Sequence, residues 1–219
     1  MHYVKNFFIV FGLFVLSQLS MVGFGVTLAL SSEPLTGFGL IAMIVFVLLN
    51  IALVVWLAKK LKLIDLDMSW LTLKNGLIIL AGTILLRVIA TVFTLLIQQF
   101  SGQEMSANDQ VINSMFSGVH PLLLFLLIAV AAPIMEEIVF RAGFIGLLFK
   151  KMPVVGIILG SACFGLIHTA TDILQFTLYA LMGLVMALAY YKTKKLEVSI
   201  MIHFLNNAIA AIAMIAMSV

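Results

Sequence analysis

Three short stretches of the chain hold side chains able to move protons. They are Met135-Glu136-Glu137-Ile138-Val139-Phe140-Arg141, Phe164-Gly165-Leu166-Ile167-His168 and His203-Phe204-Leu205-Asn206-Asn207. A carboxylate, two imidazoles and a carboxamide are groups that activate water and hold a developing oxyanion. In a helix turning about 100° per residue, Glu137 and Arg141 share a face and can form an ion pair. Glu136 points about 140° from Arg141 by the same periodicity, which leaves it free to face water held among helices. It is the natural general base of the set. Phe164 and His168, and likewise His203 and Asn207, are four residues apart and share a face in each helix.

The elements that must position these groups are membrane helices. The chain has 219 residues, 64% hydrophobic and only 10% charged, against about 25% charged in a soluble domain. Seven apolar runs approach the roughly 20 residues needed to cross a bilayer: Phe7 to Leu30, Gly37 to Ala58, Gly76 to Ile97, Pro121 to Phe149, Pro153 to Ala170, Ile173 to Tyr191 and Val198 to Met217. The expected architecture is an all-α integral membrane protein of about seven transmembrane helices. It forms a single polytopic domain over 1–219, with a catalytic core at about 121–217. The first run, at 24 residues, is longer than the apolar part of a secretory signal and is read as a retained helix.

The charges orient this bundle. Connections after the first, third and fifth runs hold Glu33, Glu104, Asp109 and Asp172 but no Lys or Arg. Those after the second, fourth and sixth hold Lys59, Lys60, Lys62, Lys74, Lys150, Lys151, Lys192, Lys194 and Lys195. Positive residues mark the cytoplasmic side, so the amino terminus is expected inside and the carboxyl terminus outside. The net charge of +3 reflects this topology and does not suggest nucleic acid. Between the runs, Lys59 to Asn75 is expected to include a helix at the membrane interface around Trp70, Leu71 and Leu73.

Against that background, charges within a span stand out, since each costs about 2.5–3.5 kcal/mol at the bilayer centre. Arg141 lies only about 13 Å of helical rise from Lys150 and can reach the interface, but Glu136 lies about 21 Å away. Three polar faces on three helices must find partners inside the protein, and a shared internal cavity is where they would meet. The depths do not match easily, because His168 comes out about 22 Å above Pro153 and His203 only about 12 Å above Lys195. Tilted helices or shifted boundaries are needed for convergence.

Other features are read as structural. Arg87, in mid-span, needs an acidic partner or water, with the Glu136 and Glu137 region one candidate. The 13 methionines lack ligand spacing and read as apolar filler. Gly156, Gly160 and Gly165 allow close helix packing. Asn206 points about 100° away from Asn207, Asp172 reads as a loop residue or helix cap, and the single Cys163 reads as a small core residue.

The three stretches resemble the CAAX-protease and bacteriocin-processing membrane proteases, the CPBP or Abi family, whose motifs are EExxxR, FxxxH and HxxxN in this order on separate helices. The motif-bearing sequence runs from about Pro133 to Asn207. The resemblance implies an intramembrane endopeptidase that hydrolyses a peptide bond in a membrane-associated peptide or protein, of CAAX-like or bacteriocin-leader type. It implies that Glu136 and His168 activate water, that His203 and Asn207 form the oxyanion site, and that Glu137, Arg141 and Phe164 support them. Two mechanisms stay open: one without a cofactor, and one using Zn²⁺ held by Glu136, His168 and His203 with water in the fourth position. Membrane lipids and the substrate are the partners implied, in a multi-pass protein of a bacterial plasma membrane. A non-catalytic binding or self-immunity protein of the same fold is the alternative, and the sequence is silent on oligomeric state.

Overall fold

A computed structural model describes residues 2–31, 35–65 and 67–217. Eight helices form among them: α1 (His2–Leu30), α2 (Gly37–Lys60), α3 (Leu73–Ser101), α4 (Ala107–Met115), α5 (Pro121–Leu148), α6 (Pro153–Ile167), α7 (Ile173–Thr193) and α8 (Leu196–Met217). The chain is all-helical, and six of these helices are long and apolar enough to cross a membrane. The fifth expected span differs. It ends as a helix at Ile167, and its 15 residues give about 22 Å of rise against a hydrocarbon core of about 30 Å. Beyond it Thr169 takes a positive φ of 50°, a conformation that costs a β-branched residue and breaks helical continuity.

The connections also depart from expectation. Residues 61–65 and 67–72 form turns and bends rather than an interfacial helix. Thr72 caps α3 by accepting from the Asn75 amide at 3.2 Å, so the apolar Leu71 and Leu73 flank a helix start. Between α3 and α5, the short helix α4 begins at Ser106, whose hydroxyl accepts from the Asp109 amide. Asp172 caps α7 by accepting from the Gln175 amide at 2.9 Å, a cap in the ordinary sense. Of the acidic loop residues used to orient the chain, Glu33 lies outside the described residues.

Contacts tie the helix ends together at both poles. At the lysine-rich pole, the Asn6 amide donates to the Leu147 carbonyl and Lys195 pairs with Asp67 at 3.0 Å. At the other, Phe24 of α1 stacks on Phe116 just beyond α4, and the Ala107 amide donates to Gln175 of α7. Between the poles, Ser20 of α1 donates to Asn50 of α2 at 2.8 Å, and Asn50 donates back to the Leu16 carbonyl. Such bonds pin helices where apolar burial gives no drive.

Helix α5 is the buried axis of the bundle, and its form is unusual. Residues Leu126–Ala131 and Ile138–Leu148 take π geometry, flanking an α-helical Ala132–Glu137. Proline inside a helix removes a donor and clashes with the preceding turn, and Pro133 stands at the edge of the first π segment. The second is packed closely by α6. A side chain at Gly160 would meet the Phe140 carbonyl at 3.3 Å, and one at Gly156 would meet Phe149 at 2.9 Å. These two glycines let α6 lie directly on the backbone that follows Glu136 and Glu137.

Candidate active site

The two adjacent carboxylates have different surroundings. Glu137 is fully buried and lies 3.0 Å from the Arg141 Nε, also fully buried. It accepts a short hydrogen bond from Ser199 and a second contact, at 3.2 Å, from His203 Nδ1. Its charge is therefore matched inside the protein, as a buried ion requires. Glu136 retains 17% side-chain exposure, and its Oε2 has no hydrogen-bond partner among the described residues.

The two histidines reach Glu136 from different helices. His168, at the end of α6, places Nε2 3.9 Å from Glu136 Oε2, and His203 of α8 places its Nε2 4.0 Å from the same oxygen. The side chains meet although helical rise alone sets them at different depths, and the start of α8 is packed and covered. Residues 61–72 lie over that end through Asp67 and Lys195, and Leu196, Val198 and Ser199 are already buried. Helix α8 thus begins well within the bundle.

Hydrogen bonds orient both rings. His168 Nδ1 lies 2.6 Å from the Phe164 carbonyl, which can only accept, so Nδ1 carries the proton and Nε2 of the neutral ring is bare. His203 Nδ1 donates to the Glu137 carboxylate, which turns its Nε2 towards Glu136. Glu136 Oε2 and His168 Nε2 are two acceptors that face one another, an arrangement that calls for a donor between them. A water molecule, with two O–H groups, is one.

Phe164 packs this cluster from below. Its ring centroid lies 4.3 Å from that of His168 and 5.8 Å from that of His203, and the Arg141 guanidinium carbon sits 5.1 Å from its centre. Asn207 is near but differently engaged. Its amide donates to the Ile128 carbonyl at 3.1 Å, while Asn206, buried beside it, donates to the Asn207 oxygen. Arg87 is half-buried and makes no ion pair with either glutamate among the described residues. Among those residues, too, no three His, Cys, Asp or Glu side chains are disposed as a metal-binding group.

Two contributors were missed in the sequence reading. Ser17, Gln18 and Ser20 of α1 line a cavity of about 30 Å³ with Ala132, Met135 and Glu136, room for one or two waters. Tyr179 of α7 stacks on His168. Neither belongs to a motif, and both are polar residues in otherwise apolar spans, which was the available hint.

One protein family and several known proteins resemble this chain. Residues 118–209 match the family described as type II CAAX prenyl endopeptidase Rce1-like. The chain is 26% identical to the UPF0177 protein YvdC of Lactococcus lactis over 89% of its own length and 73% of the relative's. It is 32% identical over 64% of its length to YdiL of Bacillus subtilis, which carries a provisional membrane-peptidase name, and covers 61% of that protein. It is 31% identical over 53% of its length to the membrane-embedded CAAX protease MroQ of Staphylococcus aureus, and spans about half, 49%, of that relative. No solved structure matches the chain significantly.

Proposed function

We propose that this chain, matched over residues 118–209 by the Rce1-like CAAX endopeptidase family, is an intramembrane endopeptidase of a bacterial plasma membrane that cleaves a membrane-associated peptide or protein. The observation that carries the reading is the convergence of His168 Nε2 and His203 Nε2 on the unpartnered Oε2 of Glu136, at 3.9 and 4.0 Å.

In this reading a water between the three groups gives a proton to Glu136, assisted by His168. Its oxygen attacks the scissile carbonyl carbon, and charge develops on the carbonyl oxygen. His203 and the second N–H of Asn207 stabilise that charge, a contribution worth several kcal/mol in a dry site. The C–N bond then breaks, and the proton held by the Glu136 and His168 pair passes to the leaving amine. Glu137 and Arg141 take no part in proton transfer and hold His203 in place. The reading uses no metal.

The reading is tested by mass spectrometry of released peptides and membrane-protein termini in cells carrying the native chain, Glu136→Ala or His168→Ala at equal membrane levels. The expected result is loss of the same termini in both variants. Unchanged termini together with a phenotype on deletion of the whole chain would replace it with a binding or self-immunity role.

A further inference from the structure

His168 ends its helix, where a side chain is least constrained by its own backbone. Its ring is nevertheless enclosed on two sides. Phe164, one turn earlier, lies at 4.3 Å with planes 35° apart, and Tyr179 of α7 stacks at 4.5 Å and 17°. Tyr179 is itself buried and secured. Its hydroxyl lies 2.6 Å from the Ser106 hydroxyl and donates to Asp109 at 3.3 Å. Ser106 is the cap of α4, and the next residue's amide donates to Gln175, one turn before Tyr179 on α7.

We propose that Tyr179 is a positioning residue: its ring is the second wall that holds the His168 imidazole with Nδ1 on the Phe164 carbonyl and Nε2 towards Glu136, and its hydroxyl secures that wall to the start of α4. The catalytic meaning of this rests on the endopeptidase reading, while the positioning itself does not. An imidazole with one ring stacked on it at 4.5 Å and a second packed at 4.3 Å cannot turn about its Cβ–Cγ bond without displacing a ring. With one wall gone, a half-turn would bring Cδ2 to the carbonyl in place of Nδ1 and Cε1 towards Glu136 in place of Nε2, so the bond that keeps the proton on Nδ1 would be lost and the bare nitrogen would no longer be fixed. Aromatic pairs of this geometry contribute about 0.5–1.5 kcal/mol beyond their buried area, so an aliphatic side chain of similar size does not replace the ring.

The test needs no substrate. The full chain carries four histidines, so ¹⁵N-histidine spectra in micelles are assignable with a His168→Gln reference. In the native chain, His168 is expected to show one tautomer, protonated at Nδ1, with ring protons shifted upfield by the flanking rings. Tyr179→Phe should keep both features. Tyr179→Leu should reduce the upfield shift to the part due to Phe164 and average the two nitrogen signals, and Tyr179→Met provides the same reading should the leucine variant not fold. His168 signals in either variant that match the native chain would overturn the proposal. On a peptide identified by the termini experiment, the aliphatic variants should lose about 10- to 100-fold in kcat with little change in KM, and Tyr179→Phe should recover most of it. Averaged tautomers without any proteolysis would leave the positioning intact and remove the endopeptidase reading instead.

Discussion

The Asn207 side chain donates to the Ile128 carbonyl, 3.1 Å away, at the point where α5 has lost a donor of its own. In the π segment the Ala132 amide bonds back to Leu127, five residues earlier, and by that register Ile128 faces residue 133. Residue 133 is proline and has no N–H to give. One N–H of Asn207 thus completes the helix and the other is left for chemistry.

Removing that amide should have a double effect. Asn207→Ala is expected to lower stability by about 1–3 kcal/mol, the cost of an unpaired buried carbonyl, and to reduce turnover. Pro133→Ala restores a backbone donor, so the double variant should recover Tm in detergent but not activity. Additive losses of Tm would sink this account, because coupled sites deviate from additivity.

The neighbouring glutamates should separate stability from activity. Glu136→Gln is expected to fold at native Tm and to lose about 10²- to 10⁴-fold in rate, the range for a general base. Glu137→Ala leaves the buried Arg141 guanidinium uncompensated and should destabilise by about 3–5 kcal/mol. Similar Tm losses in both variants would contradict the division of roles.

Chelation addresses the cofactor. Dialysis of the purified chain against a strong chelator, followed by assay on an identified peptide, is expected to leave cleavage unchanged. Loss of activity restored by Zn²⁺ would instead place a metal at Glu136, His168 and His203.

Acid should release residues 61–72 from α8. Hydrogen bonds from Ser69 and Lys195 pull the Asp67 carboxyl down from 3.8 to about 2. A depressed carboxylate contributes stability above its unfolded value and loses it as pH falls through the folded one. Amide exchange in 61–72 should therefore be unchanged from neutrality to pH 5 and rise between about pH 4 and 2, relative to a bundle-core peptide. Asp67→Asn should show the faster exchange at every pH.

The α1 wall of the cavity should matter although it lies outside the segment matched by the family. Gln18→Leu removes a polar wall beside Glu136, and kcat is expected to drop severalfold at unchanged Tm. Native kcat in this variant would assign the cavity to packing alone.

Much of this molecule was legible in one dimension. Length and apolar content give membrane helices because a span requires only local sequence and a thickness, and helical period alone puts Glu137 on the face of Arg141. The expectations that failed or shifted were those that depend on neighbours. The interfacial helix at 59–75 gives way to turns, where Asp67 meets Lys195 and Thr72 caps α3. The fifth span stops at Ile167, where stacking on Tyr179 and the Phe164 carbonyl hold His168 outside the helix.

Sequence by itself determined which residues have side chains able to move protons and that they lie in apolar helices, since residue type and spacing are local properties. The tertiary structure decided that Glu136, His168 and His203 converge, that Asn207 supports Ile128, and that α1 and Tyr179 join them. Those relations depend on how five helices pass one another, and this is set by contacts between them: Gly156 and Gly160 against the α5 backbone, the π segments beside Pro133, and Asp67 laid over the start of α8. No periodicity within a single helix encodes these offsets.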